Sequence, residues 1–224
     1  MDHNFGKLVS YEVNGSEVKI SFEKETAYFT AVRDDIIRVY VPFFDEACKS
    51  KAIEENPCVP VDVTVKKEEE TIIIRTDKVM VKIQDDFYVD FYKADGTPLM
   101  KDYRGERTTK EKVSWMSLEM LEAEGHDISA YLEKQCRYEL VKELDEGDDF
   151  YGLGDKSGFL NKKHYEYENW NSDLPQAHNE DFHALYKSVP FLMCLKKDSS
   201  AYGVFYDNTF RSYINLGKEN ENYF

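Results

Sequence analysis

Following Asn169 the chain reads Trp170-Asn171-Ser172-Asp173, which sets an indole, a carboxamide and a carboxylate side by side. An indole offers its face to the apolar side of a pyranose, and an amide and a carboxylate match its hydroxyls, so Trp170, Asn171 and Asp173 are candidate saccharide contacts. Trp170 and Asn171 would serve equally well to fix a loop against its own sheet. Pro175 restricts Leu174 to extended backbone, which ends the local structure of this loop and re-aims the chain. Breaking a glycosidic bond asks for more. Cleavage with retention needs two carboxyl groups about 5 Å apart, one nucleophilic and one with a raised pKa, in a shielded pocket. The chain holds 44 Asp and Glu, but clusters such as Glu68-Glu69-Glu70 stand in polar context and read as solvated charges. No serine elbow or Cys/His signature offers another nucleophile. The sequence therefore assigns no catalytic residue.

Three other groupings invite a chemical reading and do not sustain it. Tyr151-Gly152-Leu153-Gly154-Asp155 lacks the third glycine of a phosphate loop, and no helix pattern follows to supply a dipole. Its glycines read as a tight bend between strands. His178, Glu180, Asp181 and His183 are dense in polar groups, but their spacing fits no standard metal motif and they read as a solvated loop or cap. Cys48, Cys58, Cys136 and Cys194 match no zinc knuckle and read as reduced, buried thiols of a cytosolic protein. No metal and no cofactor is expected.

The elements that must hold these residues are strands. From Cys58 to Lys66, Val59, Val61, Val63 and Val65 alternate with more polar positions, the period of a half-buried strand. Val18, Ile20 and Phe22 repeat the pattern, as do Val79, Val81 and Ile83. The β-branched runs Ile36 to Val41 and Thr71 to Ile74 lie between, set off by charged turn material from Lys66 to Glu70. Asp95-Gly96 signals a tight hairpin. Val113 to Leu132 does not alternate and reads as one short helix or excursion stopped at Gly125. Gln135 to Leu144 returns to strand character. Val189 to Leu195 and Ala201 to Tyr206 read as strands buried on both faces, and Phe210 to Leu216 as core. Many short strands without strand-helix alternation predict an all-β antiparallel β-sandwich with at most one or two short helices, in a single domain over 1–224.

Composition agrees. The net charge of -15 disfavours nucleic acid and anionic membrane surfaces, which call for clustered Lys and Arg, but does not penalise a neutral sugar. No apolar run approaches the roughly 20 residues of a membrane helix. The N-terminal residues show no basic region followed by an apolar core, so a cytoplasmic location is expected. The chain is too short for a (β/α)8 barrel with further domains, since the barrel alone takes about 250 residues.

From Phe150 to Gly217 several strings recur in the order found in glycoside hydrolase family 31 α-glucosidases: Phe150 to Gly158, Leu160-Asn161-Lys162-Lys163, Tyr165-Glu166-Tyr167, and Trp170-Asn171-Ser172-Asp173 for a Trp-Asn-Thr-Asp-like pattern. The chain resembles that family's N-terminal domain, a sandwich related to galactose mutarotases. The resemblance implies that the loop reaches over the mouth of a catalytic barrel and that Asp173 contacts sugar hydroxyls, with Trp170 and Asn171 weaker candidates. The family's nucleophile belongs to an Asp-Met-Asn-Glu-like barrel motif, which these residues lack. The resemblance thus implies a non-catalytic half of a retaining α-glucosidase, whose partners are its own barrel and an α-glucoside or oligosaccharide. Asn220 to Phe224 is expected to begin a strand whose partners are missing, leaving an edge open to self-association. The alternatives are a free-standing carbohydrate-binding module and an aldose mutarotase. The mutarotase would need a His and a Glu aligned in the sandwich groove, and the sequence pairs none.

Overall fold

The computed structural model describes residues 5–42, 50, 52, 61–106, 125, 138–173, 175, 177–180 and 182–224. Apart from Gly125, the helix read between Val113 and Leu132 lies outside them, as do Cys48, Cys58 and Cys136.

Alternation builds the first layer. Strands β1 (Leu8–Asn14), β2 (Glu17–Phe22), β3 (Thr26–Arg33) and β4 (Ile36–Tyr40) form an antiparallel meander in sequence order. Strands β5 (Thr64–Glu68), β6 (Thr71–Arg75), β7 (Val79–Ile83), β8 (Val89–Lys93) and β9 (Pro98–Met100) form a second. Every other residue of β2 and β3 points inward, so Val18, Ile20 and Phe29 meet Ile72, Val81 and Ile83 in one core. A single 3-10 turn, Asp85–Phe87, links β7 to β8 and ties the layers. The Asp85 carboxylate accepts from Leu8 N–H at 2.8 Å, and that of Asp86 from Gly6 N–H at 3.1 Å. The Asp95-Gly96 hairpin forms as expected, with Gly96 at φ 91° and Thr97 N–H donating to Asp95 Oδ1 at 2.8 Å.

The second half carries β10 (Asp149–Gly154), β11 (Glu166–Asn169), β12 (Ser188–Leu195), β13 (Ala201–Phe205) and β14 (Ser212–Asn215). These make a three-stranded sheet, β10-β12-β13, and a two-stranded ribbon, β11-β14, all antiparallel. Phe150, Leu153, Tyr167, Leu192, Leu216 and Phe224 form its core with Cys194, whose free thiol burial pushes up to about 11.

Several expectations need correction. Of the valine-rich strand expected from Cys58 to Lys66, residues 58–60 lie outside the described residues; among the others the strand runs Thr64–Glu68 and takes in Lys66 to Glu68, because β5 is a sheet edge whose charged side chains face water. Gly152 and Gly154 lie inside β10, at a break in its register, and not between strands. Val189, Phe191 and Met193 on β12 and Phe205 on β13 are exposed while Leu192 and Cys194 are buried, so one face of this sheet is covered and the other is not. Phe210 is 80% exposed, because it precedes β14 on the turn side. Of the strand expected from Gln135 to Leu144, the described part makes only isolated bridges, Asp102 to Lys142 and Glu143 to Tyr223. Those bridges give Asn222 to Phe224 the partner that the sequence did not show, with Leu144 N–H donating to Asn222 and Phe224 N–H to Lys142.

Candidate functional site

Trp170 immediately follows β11 and Arg211 immediately precedes β14. The pairing of Asn169 with Ser212 therefore sets the two across from one another. The Arg211 guanidinium carbon lies 4.6 Å from the centroid of the Trp170 ring. Its Nε is 2.8 Å from Glu168 Oε1. Strand alternation puts Glu168 and Trp170 on one face, with Tyr213 directly across from Glu168. The Glu168 side chain is only 3% exposed, and a carboxylate so placed requires a paired cation and hydrogen bonds. Arg211 supplies the cation and at the same time covers one side of the indole, while Glu168 Oε1 has no hydrogen bond among the described residues. Trp170 keeps 45% of its surface open to solvent.

The loop beyond Trp170 is closed at its neck by backbone and side-chain bonds. Glu168 N–H donates to the His183 carbonyl at 2.9 Å, and Ser172 N–H to that of Leu185 at 3.1 Å. The Asn171 Oδ1 accepts from Ser188 N–H at 2.8 Å. Asn171 thus fixes the loop against β12. Asp173, two residues on, is exposed and joins no hydrogen bond or ion pair among the described residues. Of the three candidates, Trp170 and Asp173 face solvent, and Asn171 holds the neck. Leu174 lies outside the described residues.

Beneath the neck sit two lysines. Lys156 Nζ donates to the Glu168 carbonyl at 2.7 Å and to Ser188 Oγ at 3.0 Å, and burial pulls its pKa down to about 8, against the pull of Glu168 and Asp155. Lys162 Nζ donates to the carbonyls of Lys156 and Ser157 and lies over the Tyr167 ring. Both polar atoms of the buried Asn169 amide lack a hydrogen-bond partner among the described residues, a cost of about 1–3 kcal/mol at the foot of the same loop.

The histidine-rich stretch is engaged locally. The His178 ring packs against Phe182 and Tyr186, and Glu180 Oε2 accepts from Tyr165 Oη–H at 3.0 Å. His183 Nδ1 is 2.8 Å from the Glu166 carbonyl and His164 Nδ1 is 3.4 Å from that of Gly217. A carbonyl accepts only, so each Nδ1 carries the proton. His164, His183, Glu166 and Glu180 line one open cleft of about 450 Å³ with Phe159 and Tyr165. Asp181 lies outside the described residues.

Carboxylates elsewhere are tied to cations. Lys196 reaches Asp145 at 2.7 Å and Asp148 at 2.9 Å, and its hydrogen bond holds the Asp145 carboxyl below its ordinary value. Burial raises Asp102 even though Lys142 sits 2.7 Å away. Sequence reading missed Arg211, Glu168 and Lys156. For Glu168 and Arg211 the signal is charge inside or beside strand-like runs, but which charges meet depends on the β11-β14 register; Lys156, in the loop after β10, gives no such signal.

The model of the glycosyl hydrolase 31 N-terminal galactose mutarotase-like domain matches residues 26–215. The chain is 28% identical over 193 residues to alpha-glucosidase 2 of Bacillus thermoamyloliquefaciens, covering 85% of this chain and 22% of that protein. A Flavobacterium johnsoniae GH31 dextranase, solved in complex with glucose, superposes with a TM-score of 0.74 at 26% identity, over 99% of this chain and 25% of that one. The cycloalternan-forming enzyme of Listeria monocytogenes, solved with a pentasaccharide substrate, superposes with a TM-score of 0.68 at 16% identity, over 97% of this chain and 19% of that one. The chain spans about a quarter or less of the length of these relatives.

Proposed function

This chain belongs to the glycosyl hydrolase 31 N-terminal galactose mutarotase-like domain family, and from that premise we propose that it is the non-catalytic, substrate-shaping domain of an α-glucosidase-like hydrolase. Trp170 and Asp173 are its contribution to the sugar cleft. The observation that carries this reading is the placement of Trp170: an indole backed by Arg211 on one side and open on the other, three residues from an exposed carboxylate. The family relatives include an α-glucosidase and a dextranase solved with glucose, which supports a saccharide as the ligand. Bond cleavage belongs to a barrel elsewhere in the enzyme, in keeping with the engagement of Asp102, Asp145, Asp148 and Glu168 by Lys and Arg partners. The exposed face with Val189, Phe191, Met193 and Phe205 is the surface that such a partner covers, and when uncovered it draws two copies together.

The test is kinetic. In the enzyme that carries this domain and its barrel, Asp173→Ala lowers kcat/KM for a disaccharide about tenfold or more, the scale of one lost hydrogen bond to a charged group. An unchanged kcat/KM removes Asp173 from the cleft. The purified 224-residue chain releases no glucose from maltose, and release by material free of contaminating enzyme overturns the non-catalytic reading.

One observation favours a second reading, an aldose mutarotase. The cleft of Phe159 and Tyr165 gathers His164 and His183 beside Glu166 and Glu180, residue types that can act as the acid and base of sugar ring opening. Polarimetry on fresh α-D-glucose decides it, because an unchanged rate of mutarotation excludes that activity.

A further inference from the structure

The Arg211 guanidinium carries five N–H donors, and its Nε is ion-paired with the buried Glu168 carboxylate at 2.8 Å. Its other interaction among the described residues is with the Trp170 ring. The four terminal N–H groups remain as donors on a side chain that is 39% exposed, beside the solvent-facing indole. Neither Arg211 nor Glu168 was among the residues that the loop motif points to. The strand register brings them together.

We infer that Arg211 is itself a saccharide-contacting residue, donating from its terminal nitrogens to hydroxyl oxygens of a sugar seated on Trp170, with Glu168 as the residue that positions it. This inference rests on the reading of Trp170 as a sugar platform. Three features fit a neutral, hydroxylated ligand. Glu168 cancels the guanidinium charge at close range, so the site offers donors without a net positive field and has little to attract a phosphate. The chain's net charge of -15 works against an anion as well. Finally, a guanidinium locked by a buried carboxylate and an aromatic face loses little freedom on binding, which favours the weak, geometric recognition of hydroxyls.

The experiment uses the 224-residue chain labelled with nitrogen-15. Its two tryptophans (Trp115 and Trp170) give two indole resonances, separated by Trp170→Phe, and the Arg211 Nε–H, ion-paired with Glu168, gives its own cross-peak, assigned with Arg211→Lys. Maltose titrated to tens of millimolar moves the Trp170 and Arg211 signals along one binding curve. Arg211→Met, which keeps the apolar stem and removes the donors, raises the dissociation constant about tenfold, the worth of one to two hydrogen bonds. Arg211→Lys recovers part of the loss. Glu168→Gln weakens binding and broadens the Arg211 signal, and the rest of the spectrum reports whether each variant is folded. If the Trp170 signal moves while Arg211→Met binds as well as the parent, the inference fails and the platform stands. If inorganic phosphate moves the Arg211 signal and maltose does not, the site is an anion site and the inference fails. If nothing moves with maltose, the inference is overturned, while the turnover of Asp173→Ala in the barrel-bearing enzyme still judges the cleft reading on its own.

Discussion

Lys156 shows how a single residue at this site records its surroundings. Its ammonium is half-buried beneath the loop neck, and burial brings its pKa from 10.5 to about 8. Below pH 8 both the folded and the unfolded chain carry the proton, and the cost of holding that charge in the fold is fully present. Between pH 8 and 10.5 the unfolded chain binds more protons at this position than the folded one, so the contribution of Lys156 to stability improves as pH rises through that window. Urea unfolding of the parent and of Lys156→Met checks this. The difference between them is expected to shift in favour of the parent from pH 7.5 to 9.5, and a difference that stays flat removes the shift. Glu168 poses the opposite problem, a charge kept in the interior, and Arg211 is its answer.

At the scale of the element, β10 and β12 explain why the glycines of the Gly-x-Gly string are where they are. Gly152 sits at φ +113°, where a side chain is strained, and an added Cβ would stand 2.5 Å from the Phe191 carbonyl oxygen on the neighbouring strand. Gly154 has the same difficulty with the Lys187 carbonyl. Close approach of two backbones, and not a bound phosphate, is what these positions require. Gly152→Ala is accordingly expected to cost about 1–3 kcal/mol, from strain at the residue and displacement of β12. A denaturation midpoint equal to that of the parent would show that the strand can shift without cost. The same strand pair sets the site, because Ser188, at the start of β12, meets both Asn171 and Lys156.

Across the whole molecule, two cores are joined by a narrow polar seam. Lys142 and Asp102 form a nearly buried pair at 2.7 Å, and Arg104 bridges to Asp90 at 2.9 Å. Backbone bonds from Tyr103 to Val141 and from Lys142 to Phe224 run alongside. Breaking one such buried pair leaves a charge without its partner, so the seam fixes how the halves meet more than it adds stability. The surface is less evenly satisfied than the seam. Val189, Phe191, Met193 and Phe205 make an exposed apolar patch on a chain that spans about a quarter of its relatives. Sedimentation of the isolated chain is expected to show association that grows with concentration and falls with Phe191→Glu, and a monomer at every concentration would mean that the patch does not draw two copies together.

Local pattern determined much of this protein from the sequence alone. Alternating Val18, Ile20 and Phe22, the Asp95-Gly96 hairpin and the order of the strings from Phe150 to Gly217 depend on neighbours along the chain, and they pointed to the all-β fold, the family and the loop bearing Trp170 and Asp173. Tertiary structure alone decided which partners each side chain met. Arg211 is 41 positions from Trp170, and only the β11-β14 register makes them neighbours. The exposure of one face of β12 depends on what packs against it, which no run of apolar residues discloses. A strand's period is written in the chain, whereas its pairing is settled by packing at a distance.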